Sequence, residues 1–587
     1  MNSVYSKLGI VVAVVLCQLI GVTPGAVAQQ GRLDELEDFD YWENLCRLQT
    51  DAGKYEEART ACEQAIELEP RDARIWAAHS GILLSLEQYP EAIASAGQSL
   101  TFDDQNSLAL TYQCIAYTAL EQTETALDIC NDALRVDGDW GRRSPALAWR
   151  YRGSILEQAG QYEQALVAYE RTLLLEPDDS LTLGYKCRTQ VELERYQQAV
   201  RTCQQALEGD GRWQPETAGF AHYYQGVAYT ELGENDSAIA ALDLALEADP
   251  NNAGTWTYQG RVLQNQNQFT EALTSYTRAV ELAPTSSRAL VGQCSVMNQL
   301  QQYETGADAC QQAIQGDGEW WSLGAAQAWH QRAHALSGQG MHAEALAAAN
   351  RAVGMRPGYA EAWSDRSVIL WFIASEQVAA LDERTARVTY QQAIESAQQA
   401  LTLVPEAPRT LANLGRYYRS LADLHVQQGR PEPAMAALQD AQDYYQQALS
   451  LDSSDDETWV NLSVVLWLQQ DYEQALQTAS RAVAINPNSV TAWLTQGAAL
   501  ASLGQYQQAQ LSYQQALNRN KENAQAWASF AVVSLQLGEF ETGMAALQTA
   551  LQLDPVQPLA LETQALVEAQ LQAAADAAAD AIPLESE

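Results

Sequence analysis

From Asp456 onward the apolar positions keep a fixed beat. Trp459, Trp493 and Trp527 stand 34 residues apart; Tyr472, Tyr506 and Phe540 follow each of them by 13, and Ala482, Ala516 and Ala550 by 23. Self-similarity at such a period marks a repeat array, in which each unit is one supersecondary element that buries its apolar face only against its neighbours. Walking the register in both directions gives fourteen units, beginning at residues 39, 73, 107, 146, 180, 219, 253, 287, 326, 360, 408, 456, 490 and 524. Pro70, Pro177, Pro250, Pro284, Pro357, Pro487 and Pro555 fall at position 32 of their units, where a proline ends one helix and opens the next turn.

The stretch "AWLTQGAALASLGQYQQAQLSYQQALNRN", with Trp493, Gly497, Ala509, Tyr513 and Ala516 at positions 4, 8, 20, 24 and 27 of its unit, resembles the tetratricopeptide repeat. The resemblance implies an all-α, superhelical solenoid of about fourteen helix-turn-helix repeats. Small residues at positions 8, 20 and 27 let the two helices of a unit approach, and bulky ones at 4, 11 and 24 fill the gaps. Nine repeats would occupy 39–359 and three would occupy 456–557, with "PLALETQALVEAQLQAAADAAADA" as a solvating cap helix and an acidic tail over 558–587. Between them, the units at 360 and 408 are 48 residues long; an extra seven residues on each helix adds about two turns without rotating its apolar face, which predicts a taller ridge over 360–455. The units at 107, 180 and 287 are 39 long. Their extra five residues follow Asp137-Gly138-Asp139-Trp140, Asp210-Gly211-Arg212-Trp213 and Asp317-Gly318-Glu319-Trp320, turn signals whose Trp is expected to fold back over the adjoining helices.

The first thirty residues break the pattern. One early Lys7, an apolar run from Leu8 to Val22 and the small-x-small triplet Ala26-Val27-Ala28 read as a signal peptide over 1–28, followed by a lead-in over 29–38. The run is shorter than the ~20 residues a spanning helix needs, so no permanent membrane span is expected. Cys17 is preceded by Leu16, where a lipoprotein signal would carry a small residue. The chain is therefore expected to be exported, to a periplasm, a thylakoid lumen or the medium. It is similar in style to exported bacterial repeat proteins, and its scarcity of Lys and wealth of Gln suggest a cyanobacterial one. The charge changes the partner picture: 74 Asp and Glu against 34 Lys and Arg leave a net −40, a field that repels phosphate backbones, so nucleic acid is not an expected partner.

Four cysteine pairs recur sixteen residues apart: Cys46 and Cys62, Cys114 and Cys130, Cys187 and Cys203, Cys294 and Cys310. All occupy positions 8 and 24. In the geometry of the resembled family these positions face each other where the two helices cross, which implies four disulfides within repeats, in a compartment where such bonds persist. Zinc binding, redox catalysis and buried free thiols stay as alternatives, although no C-x-x-C spacing supports the first two.

No phosphate-binding loop, H-E-x-x-H, G-x-S-x-G or G-x-G-x-x-G occurs, and the repeats leave almost no residues for a catalytic domain; an enzyme and a cofactor are not expected. His330 and His334 lie i, i+4 on one first helix with His342 on the next, and are read as solvated polar residues in preference to metal ligands. The Asp-Gly-x-Trp loops offer too few oxygens for calcium. In the resembled family, positions 2, 5, 9, 12 and 13 face a concave groove. Here they give Arg47, Arg74, Arg150, Arg188, Arg261, Arg288, Arg409 and Arg416, with Phe220, Tyr223, Trp371, Phe372 and Trp467 among them. Arginine and aromatics dominate binding hot spots, so a protein or peptide partner is expected, acidic or bearing a C-terminal carboxylate. The opposing reading pairs these arginines with Asp40, Glu43, Glu157, Glu192 and Glu231. No unit has the Lys and Asn at positions 5 and 9 of the family's carboxylate clamp. The sequence thus describes a non-catalytic scaffold outside the cytoplasm, with a fixed subunit of an envelope assembly or export machine as the alternative and an enzyme or regulatory subunit as a remote one; self-association stays open.

Overall fold

The computed structural model describes residues 38–580 apart from Asp137 and Arg142, and side chains as far as residue 574. The expected signal peptide, all but the last residue of the lead-in and the tail beyond 580 lie outside the described residues. Within them the chain is all-helical: twenty-nine helices in succession from Phe39–Asp51 and Tyr55–Leu68 to Ala524–Gln536 and Phe540–Leu553, packed as hairpins within each compact unit, then a single helix Pro558–Asp580. It divides into two compact units, one through Gln268 and one from Phe269.

The period has a physical cause visible in each unit. Trp76, Trp256, Trp363 and Trp493 donate their indole N–H to the carbonyls of Pro70, Pro250, Pro357 and Pro487, at 2.9 to 3.0 Å, so position 4 of one repeat is tied to position 32 of the one before. The hairpin turn needs one residue in the left-handed region. Gly53, Gly160, Gly233, Gly340, Gly429, Gly504 and Gly538 supply it in half the repeats; Glu87, Glu121, Glu194, Asn267, Gln301, Leu381 and Gln470 supply it in the others.

The crossing of the two helices inside a repeat is filled in three ways. A Cβ on Gly153, Gly226 or Gly497 would come within 2.5 to 2.6 Å of Tyr169, Leu242 or Tyr513, each sixteen residues later on the second helix. In four other repeats the same two positions are cysteines, joined as Cys46–Cys62, Cys114–Cys130, Cys187–Cys203 and Cys294–Cys310 with Cα atoms 5.1 to 5.3 Å apart. All eight are buried. Where the position is serine, Ser80 and Ser463 donate to the carbonyls of Ala92 and Ala475, at 2.8 Å.

The long repeats lengthen both helices. Ala360–Ala379 and Pro408–Gln427 have 20 residues and Glu383–Leu403 and Pro431–Leu451 have 21, against 13 and 14 in a repeat such as Asp456–Leu468 with Tyr472–Ile485. The 39-residue repeats use their extra residues to close on themselves. The Asp210 carboxylate accepts from the N–H of Ser180, at the start of its own repeat, and Gly211 N–H donates to the Ser180 hydroxyl; Asp317, Gly318 and Ser287 repeat the arrangement. Trp213 then lies on Gly184, and Trp320 and Trp321 pack beside Leu290 and Val291.

Two predictions follow from the crossing. Each disulfide closes a loop of about sixteen residues, worth ~3 kcal/mol in the chain-entropy model, so reductant lowers Tm by several degrees; a melt that stays put while peptide mapping finds all eight of these cysteines reduced removes the staples. Gly497→Ala pushes a methyl into the Tyr513 ring and costs about 1–3 kcal/mol in urea unfolding, whereas a neutral result would mean the helices part at no cost.

Candidate protein-binding wall of the first helices

In the first unit most of the predicted wall arginines are already held. Glu157 is buried and takes Arg188 through two bonds, Nε to Oε1 at 2.6 Å and Nη2 to Oε2 at 2.7 Å, while the Tyr169 hydroxyl donates to Oε2 at 2.7 Å. The guanidinium is 4.9 Å from the Tyr185 ring centre and 5.3 Å from that of Phe220. Burial works against its charge, but the Glu157 carboxylate outweighs it and holds the Arg188 pKa above the ordinary arginine value. Arg150 donates to Asp179 at 3.0 Å, Arg261 to Glu231 at 2.5 and 3.2 Å, and Arg74 to Asp72 at 2.8 Å. Arg47 donates to the Asn44 side-chain oxygen at 2.7 Å. Paired arginines of this kind order a wall more than they offer charge to a ligand.

An aromatic row that the reading of positions 2, 5, 9, 12 and 13 passed over runs beside them. Tyr112, Tyr151, Tyr185, Tyr224 and Tyr258 all stand at position 6 of five consecutive repeats, a regularity that was present in the sequence. Tyr185 meets Phe220 edge to face at 5.7 Å, Phe220 meets Tyr224 at 4.9 Å, and Tyr223 links Tyr224 to Tyr258 at 4.9 and 5.9 Å. Burial pushes Tyr185 and Tyr224 up to about 12, so their hydroxyls stay neutral.

In the second unit the wall is more open. Phe372 is 38% exposed and stacks on His342 at 4.8 Å, Trp467 is 39% exposed, and Trp371 carries Arg416 over its ring at 5.5 Å. Arg416 pairs with Glu457 at 2.9 Å, and Arg288 donates to the Trp320 carbonyl. Arg409 is exposed.

The histidines require a correction. His330 is buried, not solvated: its Nδ1 is 2.8 Å from the Tyr359 hydroxyl and its Nε2 is 2.8 Å from Asp365 Oδ2, with His334 Nδ1 3.6 Å from the same oxygen. Tyr359 closes the same repeat, 29 residues on, and Asp365 lies in the next, 35 residues on, spacings with no local signature. Burial raises the Asp365 pKa, but the bonds to His330 and His334 outweigh it and hold the carboxyl well below the usual carboxylate range. Among the described residues no group of three His, Cys, Asp or Glu is arranged to hold a metal ion, and no helix is long and apolar enough to cross a membrane.

A run of helical hairpins at a fixed period defines a helical repeat array. Tetratricopeptide repeat models match residues 39–72, 146–179, 188–253, 253–286, 326–359, 437–498 and 494–558, together more than half of the chain. The chain belongs to the tetratricopeptide repeat family. It is 25% identical over 285 residues to Superkiller complex protein 3 of Homo sapiens, covering 46% of this chain and 18% of that protein. It is 26% identical over 184 residues to protein FlbA of Caulobacter vibrioides, covering 29% and 28%. The matches thus span less than a third of these curated relatives' own length. Among solved structures, the Cut9–Hcn1 hetero-tetramer of APC/C aligns over 89% of this chain and 95% of its own at 15% identity, with a TM-score of 0.36.

Asp365 sets a testable pH dependence. Because its folded pKa is depressed, the unfolded chain binds the proton first as pH falls below about 4; the stability it contributes is complete above that pH and is lost on further acidification. Asp365→Asn costs about 1–3 kcal/mol at pH 7 and flattens the acid limb of stability against pH; an unchanged acid limb would place the coupling elsewhere.

Proposed function

We propose that this protein is a non-catalytic scaffold that holds a segment of a protein partner along the wall of its first helices, outside the cytoplasm. Tetratricopeptide repeat proteins mediate protein–protein association and scaffolding, and the observation that carries the reading for this chain is the state of its wall: arginines largely neutralised from within, aromatic rings left open at Phe372 and Trp467. Four buried disulfides support the extracytoplasmic placement, since such bonds persist in oxidising compartments. An acidic or C-terminal segment would bind at Arg47, Arg288 and Arg409, which pair with no carboxylate among the described residues, and would compete with internal pairs elsewhere.

The test is position-dependent crosslinking in the cell that makes the protein. A photo-crosslinking residue at Phe372, on a first helix, captures one defined neighbour; the same residue at Leu403, on a second helix, does not. Stoichiometric co-purification of that neighbour would favour a fixed subunit of an envelope assembly over a transient adaptor. Capture from Leu403 alone, or from neither position, overturns the wall.

A further inference from the structure

Beside Trp467 the wall of the second unit sinks into a depression of about 130 Å3, lined by Ser463, Val464 and Trp467 of Asp456–Leu468 and by Thr495 and Ala498 of Val490–Ser502. None of the five carries a charge. The polar groups around it are already committed. Ser463 donates to the Ala475 carbonyl at 2.8 Å, Thr495 to the carbonyls of Thr491 and Ala492 at 3.0 Å, and the indole N–H of Trp467 to the Ser502 hydroxyl at 2.9 Å. That last bond fixes the ring at one edge and leaves an apolar face open, with Trp467 39% exposed.

We infer that this depression is an anchor site for one aliphatic side chain of leucine, isoleucine or methionine size, projecting from an extended or helical segment of a protein partner. The inference rests on the reading of the wall as a binding surface and names the chemistry of its occupant. Three properties of the site select it. A charged side chain entering here would lose its hydration and meet no counter-charge in the lining. A hydrogen-bonding side chain would find the lining's donors spent. An aliphatic side chain gives up water at no polar cost and meets a wall held in place before it arrives, so little ordering is required on binding. Trp, which lines the depression here, is also among the residue types enriched at interface hot spots.

The experiment uses the full chain labelled with 15N at tryptophan, with the Trp467 indole signal assigned from Trp467→Phe, and two probes: N-acetyl-leucine amide and N-acetyl-glutamate amide. The leucine amide shifts the Trp467 signal saturably, with a Kd on the order of millimolar, and the glutamate amide binds at least ten times more weakly at any salt concentration. Ala498→Leu, which fills the depression from its own side, reduces the leucine response at least tenfold; a melt within a few degrees of the parent shows that the fold is kept, and Val464→Leu serves as the second filling variant if Ala498→Leu unfolds. No Trp467 response to the leucine amide overturns the inference, as does an equal or stronger response to glutamate. If a partner crosslinks at Phe372 while the depression stays unresponsive, the anchor fails and the scaffold reading stands. If leucine binds but nothing crosslinks along the first helices, the site is kept and the scaffold reading falls.

Discussion

Everything in each unit rests on how closely two helices of a hairpin can cross. The residue eight positions into the first helix must be small, because the residue sixteen later on the second helix occupies the space a side chain would need. Tyr169, Leu242 and Tyr513 fill it over glycine, and serine reaches through it to a backbone carbonyl. A disulfide is a third solution to the same constraint: with Cα atoms 5.1 to 5.3 Å apart, two cysteines span the gap that a tyrosine ring fills elsewhere. Covalent crosslinks are thus compatible with the same close crossing, and Cys, Gly, Ser and Ala share one position along the chain.

The crossing also decides what the wall looks like. With second helices held tightly behind them, first helices of successive repeats stand side by side, and residues one repeat apart become neighbours. Arg188 and Glu157 are 31 residues apart in sequence and 2.6 Å apart in space; Arg261 and Glu231 follow the same rule. In a chain of net charge −40, Arg188, Arg261 and Arg416 on this wall each meet a carboxylate from the adjoining repeat. The wall is thereby stiffened, and its free chemistry shifts from charge toward aromatic and aliphatic surface, most openly around Phe372 and Trp467.

The departures from the period serve different ends. The 39-residue repeats fold their added residues back onto the first residues of their own first helix, where Asp210 and Asp317 satisfy N–H groups that a helix start leaves without partners. The long repeats instead extend both helices by whole turns. The hairpin turn at the end of Ala360–Ala379 carries Leu381 in the left-handed conformation, 87% exposed, at a position where the other repeats use glycine or a polar residue; nothing in the structure explains that leucine.

By itself the sequence determined the helical hairpin, its period and its register, because small residues at 8 and 20 recur throughout and Trp at position 4 and Pro at 32 recur in many of the units, each a local requirement of one repeat. The absence of familiar catalytic motifs was equally legible. Which side chains meet was not. Asp365 and Tyr359 enclose His330 from about thirty residues away, Arg188 and Arg261 find carboxylates in the preceding repeat, and five residues from two helices form the hollow beside Trp467. Those meetings follow from the distance and rotation between neighbouring hairpins. That spacing is set by the summed packing of many side chains across each interface, so only the folded chain, and no stretch of its sequence, decides them.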